Sequence, residues 1–197
     1  MSEKVTFSKK RLFFQIVIFI LLIAFLVQCK PQSKNTTLQQ TENIETCPNN
    51  TEAKTVRGIS LEPLIKNGED VKVIINYYKC YAVERNDIIV YQYAGNQNPL
   101  IKIVKGMPND KFSLKLNEDS TNWYILLNDE ILKNSEGKPY LINSHGAKVL
   151  SLYINDYKGI IPQNAYLILG NLASGSLDST AFGLISKDDI IGKAEIK

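Results

Sequence analysis

Leu12–Val27 is a run of sixteen residues, apolar throughout except for Gln15, and no other feature limits so sharply what this chain can become. As a helix it spans roughly 24 Å, or roughly 27 Å if it extends to Cys29, against a hydrocarbon thickness of about 30 Å. Met1–Arg11 in front of it is short and basic, with Lys4, Lys9, Lys10 and Arg11. Three readings fit. A single transmembrane anchor over 12–29 is preferred. The second is a lipoprotein signal with Cys29 as the lipidated residue, although Gln28 stands where a lipobox has a small residue. The third is a cleaved secretory signal, which lacks an A-x-A-like site after the run. The N-terminal cations hold that end in the cytoplasm, so all three readings put the rest of the chain outside it. The expected location is the cell membrane, single-pass, with the bilayer as a partner.

Charge separates the two ends. Residues 1–34 carry six Lys/Arg and one acid, a balance of +5, whereas the remainder is mildly acidic at −2. A nucleic-acid partner needs a basic patch on the folded part, so that class is excluded. One histidine, His145, and three cysteines, none in C-x-x-C spacing, argue against a zinc site. No metal or other cofactor is implied. A Ser-His-Asp triad would have to be built on His145, which lies in Asn143-Ser144-His145-Gly146 and reads as a surface turn. Residues 30–54 are polar, with few large apolar side chains, and read as a tether averaging roughly 28 Å end to end. Cys47 and Cys80 either pair in an oxidising compartment or remain free thiols.

The folded part, 55–197, reads as mainly β. Candidate strands are Val71–Ile75, Asp87–Tyr93, Leu100–Val104, Lys111–Leu116, Trp123–Leu127, Leu150–Ile154 and Ala165–Leu169. Turn formers separate them, among them Asn67-Gly68, Pro108-Asn109, Asn128-Asp129 and Glu136-Gly137. No amphipathic helical repeat longer than about three turns and no internal repeat follows the apolar run. One contiguous core of Ile, Val, Leu and Tyr is expected.

Three segments carry chemistry. In Arg57-Gly58-Ile59-Ser60-Leu61-Glu62-Pro63, the glycine permits a tight backbone approach and the proline fixes the chain beyond, which holds Ser60 on a rigid turn. Read alone, this is also an ordinary turn serine. In Leu100–Val104, Lys102 interrupts an apolar strand. At its reference pKa only about one lysine in 2,500 is neutral at pH 7, and burial raises that fraction enough to deprotonate a serine hydroxyl. The plainer reading is an edge lysine that reaches water. Ala165–Leu169 then runs into a loop rich in small and hydroxyl residues, Gly170 to Gly183, suited either to orienting an amine or to lying free on the surface.

In this order the segments resemble the type I signal peptidase family. Gly58–Pro63 is similar to its G-x-S-M-x-P box, and Asn86–Tyr91 to G-D-I-V-V-F. Ile101-Lys102 through Asp110 is similar to Y-I-K-R-x-x-G-L-P-G-D. Trp123–Asp129 looks like the strand and turn that follow. Ile161–Gly183 is similar to V-P-x-x-x-Y-F-x-L-G-D-N-R-D-N-S-x-D-S-R-x-F-G, and Ile190–Ala194 to I-I-G-K-A. The resemblance covers about residues 55–197. It implies a β-rich catalytic domain behind one N-terminal transmembrane helix, acting as a serine endopeptidase that cleaves signal peptides from exported preproteins; a monomer is expected. Ser60 would be the nucleophile and Lys102 the general base. Ser176 would bond the catalytic amine, with Asp178 and Ser179 supporting the site. The Ser60 N–H would donate to the oxyanion, and Gly58 stands where some members have an assisting serine. The preprotein would bind as an added strand, with small residues at −1 and −3 in shallow pockets.

The departures are specific. Leu61 replaces Met, Leu64 replaces Thr, Ile103 replaces the Arg beside the lysine, and Thr180 replaces a later Arg. Gly170-Asn171-Leu172-Ala173-Ser174-Gly175-Ser176 stands for G-D-N-R-D-N-S, so both acids and the Arg are gone. The salt bridges expected around the site are absent, which opens two alternatives. One is a catalytically degraded surface (lipo)protein acting as a binding module. The other is a specialised peptidase that matures a secretion or conjugation component.

Overall fold

The computed structural model describes Cys47, Asn50–Ala94, Asn98–Asp119 and Thr121–Ile196. The expected basic segment and membrane helix, residues 1–29, lie outside these residues. Among the described residues no helix is long and apolar enough to cross a membrane.

The fold is mainly β, with two antiparallel sheets. Strands β1 (Thr51–Thr55), β2 (Asp70–Ile75), β3 (Ile88–Tyr91), β4 (Leu100–Gly106), β9 (Ala165–Leu169), β10 (Ile185–Ser186) and β11 (Ile190–Glu195) form a seven-stranded sheet. Their order is β1-β2-β11-β3-β4-β9-β10. The smaller sheet centres on β6 (Trp123–Leu127), flanked by β5 (Phe112–Leu116), β7 (Glu130–Ile131) and β8 (Leu141–Ile142). Asn128 and Asp129 both take positive φ, 51° and 69°, so a two-residue turn of the favoured twist joins β6 to β7. The strand β1 begins four residues inside the segment expected to be tether, and pairs residue by residue with β2 from Thr51↔Ile74 to Thr55↔Asp70.

The core is three clusters rather than the single one expected. Alternation along the strands divides them. Tyr166 and Ile168 of β9 enter a cluster with Ile89 and Val104. Leu167 and Leu169, from the other face of β9, pack with Phe112, Ile125 and Leu150 of the small sheet and its helix. The third cluster gathers Leu61, Ile65, Val71, Val73 and Ile103 under the Ser60 turn.

One expected strand is overturned. Leu150–Ile154 belongs to α1 (Ser144–Asp156), a 13-residue helix. Its buried residues, Gly146, Ala147 and Leu150, fall at helical spacing. Asn143 Oδ1 accepts from Gly146 N–H at 3.0 Å, so the apparent turn around His145 is an N-cap with an exposed histidine in the first helical turn. Cys47 and Cys80 form a disulfide, which ties the chain ahead of β1 to the 3-10 turn after β2 (Tyr77–Lys79).

Candidate active site

Ser60 sits on the turn between β1 and β2. Gly58 has φ 93°, a conformation that favours glycine, and its N–H donates to Asn67 Oδ1 at 2.9 Å. On the far side of the serine, Leu61 and Ile65 are fully buried in the core and anchor the turn. The Ser60 N–H donates to no acceptor among the described residues.

Lys102 lies in β4, opposite Ile89 of β3. It is 3% exposed, which excludes the reading of an edge lysine reaching water. The Nζ donates to Ser60 Oγ at 3.0 Å and to Ile101 O at 2.8 Å. Burial pushes the amine down from 10.5 to about 8, while the charge of Asp178 opposes that shift.

The loop after β9 closes the site. Asp178 is buried and collects four donors: Gly170 N at 3.0 Å, Ser176 Oγ at 2.7 Å, Thr180 N at 3.0 Å and Thr180 Oγ1 at 2.8 Å. Asp178 also caps the short helix α2 (Ser179–Phe182). The Ser179 hydroxyl accepts from Ile168 N at 2.9 Å and so fastens the loop to β9. Ser60 and Lys102 are brought together, with Asp178 electrostatically near the amine. Ser176 departs from its implied role: its hydroxyl donates to Asp178, and the amine takes Ile101 O as its second partner.

Four contributing residues escaped the sequence reading. Gly170 is needed because a Cβ there would lie 2.7 Å from Ser60 O and overlap Ser176 Oγ. Tyr140 donates to Gly170 O at 2.6 Å, and burial pushes its phenol upward, so it stays a donor. Thr180 takes the place of an Arg as a neutral partner of Asp178. Asn171, noted only as a lost acid, donates its N–H to Ser60 O at 2.6 Å. The loss of acid and base across 170–176 was visible, but the hydrogen bonds replacing them were not.

A cleft of about 490 Å³ opens beside the pair, lined among others by Val56, Ser60, Val71, Leu100, Ile101 and Lys102. The strand β9 pairs with β4 only from Ile103 onward. Its continuation turns to Ser60 through Asn171, so the Leu100–Lys102 stretch of β4 presents an edge with no paired strand on that side among the described residues. The arrangement can therefore hold an extended peptide, supply an amine poised near neutrality, and offer a hydroxyl and a free N–H to one carbonyl.

Residues 49–197 match the family described as signal peptidase, peptidase S26. Signal peptidase IB of Staphylococcus aureus (strain Mu50 / ATCC 700699) is 34% identical over 149 residues, covering 73% of this chain and 75% of that protein. Signal peptidase I U of Bacillus subtilis (strain 168) is 27% identical over 140 residues, covering 70% of each. A solved signal peptidase I from Enterococcus faecalis V583 is 20% identical with a TM-score of 0.40, covering 57% of this chain and 97% of that one.

Proposed function

This chain belongs to the signal peptidase family, peptidase S26, and is a serine peptidase hydrolase; we propose that it is a membrane-anchored endopeptidase that removes signal peptides from exported preproteins through Ser60 and Lys102. The observation that carries the reading is the 3.0 Å contact of Ser60 Oγ with an amine buried to 3% exposure. With Nζ neutral, that contact reverses direction and the hydroxyl donates to the amine. Oγ attacks the scissile carbonyl while its proton passes to Nζ. The Ser60 N–H donates to the developing oxyanion. Lys102 returns the proton to the leaving amine, which frees the mature protein. Water then attacks the acyl-enzyme with Lys102 again as base, releasing the signal peptide and restoring Ser60.

The preprotein lies along the open Leu100–Lys102 edge as an added strand. The apolar run at 12–27 holds the enzyme on the membrane, with the catalytic domain outside the cytoplasm. The Cys47–Cys80 disulfide suits that oxidising side. The hydrogen bonds of Asn171 to the Ser60 turn, and those of Asp178 within the adjoining loop, support a working site over a degraded one.

The test is cleavage of a signal-peptide-bearing preprotein together with labelling by a serine-directed acylating probe. Wild type cleaves and is labelled on Ser60. Ser60→Ala and Lys102→Met abolish both. Normal cleavage by either variant removes the dyad, and a substrate range confined to a single partner favours the specialised maturation peptidase.

A further inference from the structure

We propose that Asn171 is a positioning residue that clamps the nucleophile turn to the small sheet and thereby sets the reach of Ser60 to Lys102; the inference rests on the Ser60–Lys102 reading above. Asn171 is fully buried. Its N–H donates to Ser60 O at 2.6 Å and its Nδ2 donates to Glu62 O at 3.0 Å. The two carbonyls on either side of Leu61 therefore end on one residue.

Its other bonds run to the turn that follows β7. Nδ2 also donates to Ser135 Oγ at 2.8 Å, Oδ1 accepts from Ser135 N at 3.0 Å, and the backbone O accepts from Asn134 Nδ2 at 2.9 Å. Asn134 is itself buried and fixed, its Oδ1 accepting from Glu136 N and Lys138 N at 3.0 Å each. A chain of bonds thus leads from a rigid turn of the small sheet through residue 171 to the Ser60 and Glu62 carbonyls, which flank Leu61 directly after the serine side chain.

The chemistry explains the residue type. A carboxamide donates and accepts, whereas a carboxylate only accepts. An aspartate at 171 would set a charged oxygen against the Glu62 carbonyl and leave that carbonyl without its donor. It would also be a buried acid needing a counter-ion, and Ala173 supplies none. The neutral amide at 171 makes its bonds to Glu62 O and Ser135 Oγ without calling for a counter-ion.

The test compares full-length wild type with Asn171→Asp, and with Asn134→Asp, which keeps the acceptor oxygen of its own turn but loses the donor to Asn171 O. Preprotein cleavage, the rate of Ser60 acylation by the probe, and thermal unfolding are measured on each. In Asn171→Asp, kcat and the acylation rate should fall together on the order of 100-fold, with KM within about twofold, because misplacement acts on the transition state. The acid limb of its pH–rate profile should move upward, since the new carboxylate favours the charged amine. Asn134→Asp should show the same split at about tenfold, the scale of one lost hydrogen bond. A purely structural role would instead give losses that follow the folded fraction and vanish below the unfolding transition. That result, or wild-type kcat in a folded Asn171→Asp, overturns the proposal. If Asn171→Asp does not fold, Asn134→Asp decides on the same terms. A wild type inert to both preprotein and probe would overturn the dyad as well; an active wild type with unaffected variants overturns the clamp alone.

Discussion

In the proposed Ser60–Lys102 dyad, a single proton on Lys102 governs the chemistry. Burial sets the amine at about 8, so about a tenth is neutral at pH 7. The neutral form is the base, so kcat/KM should rise about tenfold per pH unit up to about 8 and level above it. A pH–rate profile on the preprotein checks this, and a limb near 10 would mean a solvated lysine. The same shift acts on stability. Between about 8 and the usual 10.5, the unfolded chain binds more protons than the folded one, so stability rises with pH through that window. Lys102→Met removes this rise and also removes a charge from a dry site. At this scale the sequence was informative wherever chemistry depends on near neighbours: a lysine inside an apolar strand, and a serine between a glycine and a proline. Asn171 and Tyr140 were opaque because the partners that define them lie 109 and 30 positions away. The Ser176 hydroxyl donates to Asp178, a partner that no motif specifies.

Two glycines show how elements divide the work. Gly170, at the end of β9, lets the loop press against the Ser60 turn. Gly170→Ala should push that turn away from Lys102, lowering acylation on the order of 100-fold, while thermal unfolding shows a cost of about 1–3 kcal/mol. Gly106 in β4 meets a different neighbour: a Cβ there would lie 2.6 Å from Ile161 Cδ1 and 2.8 Å from Leu167 Cβ. Gly106→Ala should cost similar stability yet leave acylation of the folded protein far less affected. Equal acylation losses in the two variants would argue against a local effect at Ser60. Strands with strict alternation or continuous apolar runs, such as β2, β6 and β9, were legible from spacing alone. The strand β1 was not, because Thr51–Thr55 is almost wholly exposed and offers no apolar face; it is a strand only because β2 lies beside it. The helix α1 is hidden in the sequence because Leu150–Ile154 is a short, mostly apolar stretch with β-branched and aromatic members, a pattern that strands share. Its capping asparagine looks the same in sequence as a turn asparagine.

For the molecule as a whole, the question is how the catalytic domain is fastened where the chain enters it. Among the described residues the strand β1 is an edge strand paired only with β2, and Ser60, the proposed nucleophile, follows five residues after it. The Cys47–Cys80 bridge holds the entry to this edge, with a separation of 33 residues. Replacing both cysteines with serine should cost about 3 kcal/mol of unfolding free energy, measured by denaturant titration under oxidising conditions. It should leave kcat of the folded enzyme little changed, since neither cysteine touches the site. The bridge also reports on topology. In a Cys29→Ser background, a membrane-permeant thiol reagent added to intact cells should leave Cys47 and Cys80 unmodified until a reductant is supplied. A domain facing the cytoplasm would be kept reduced and would be alkylated at once. Immediate alkylation in cells would therefore reverse the proposed orientation, and the apolar run at 12–27 would need a different reading from that of an anchor with its C-terminal side outside.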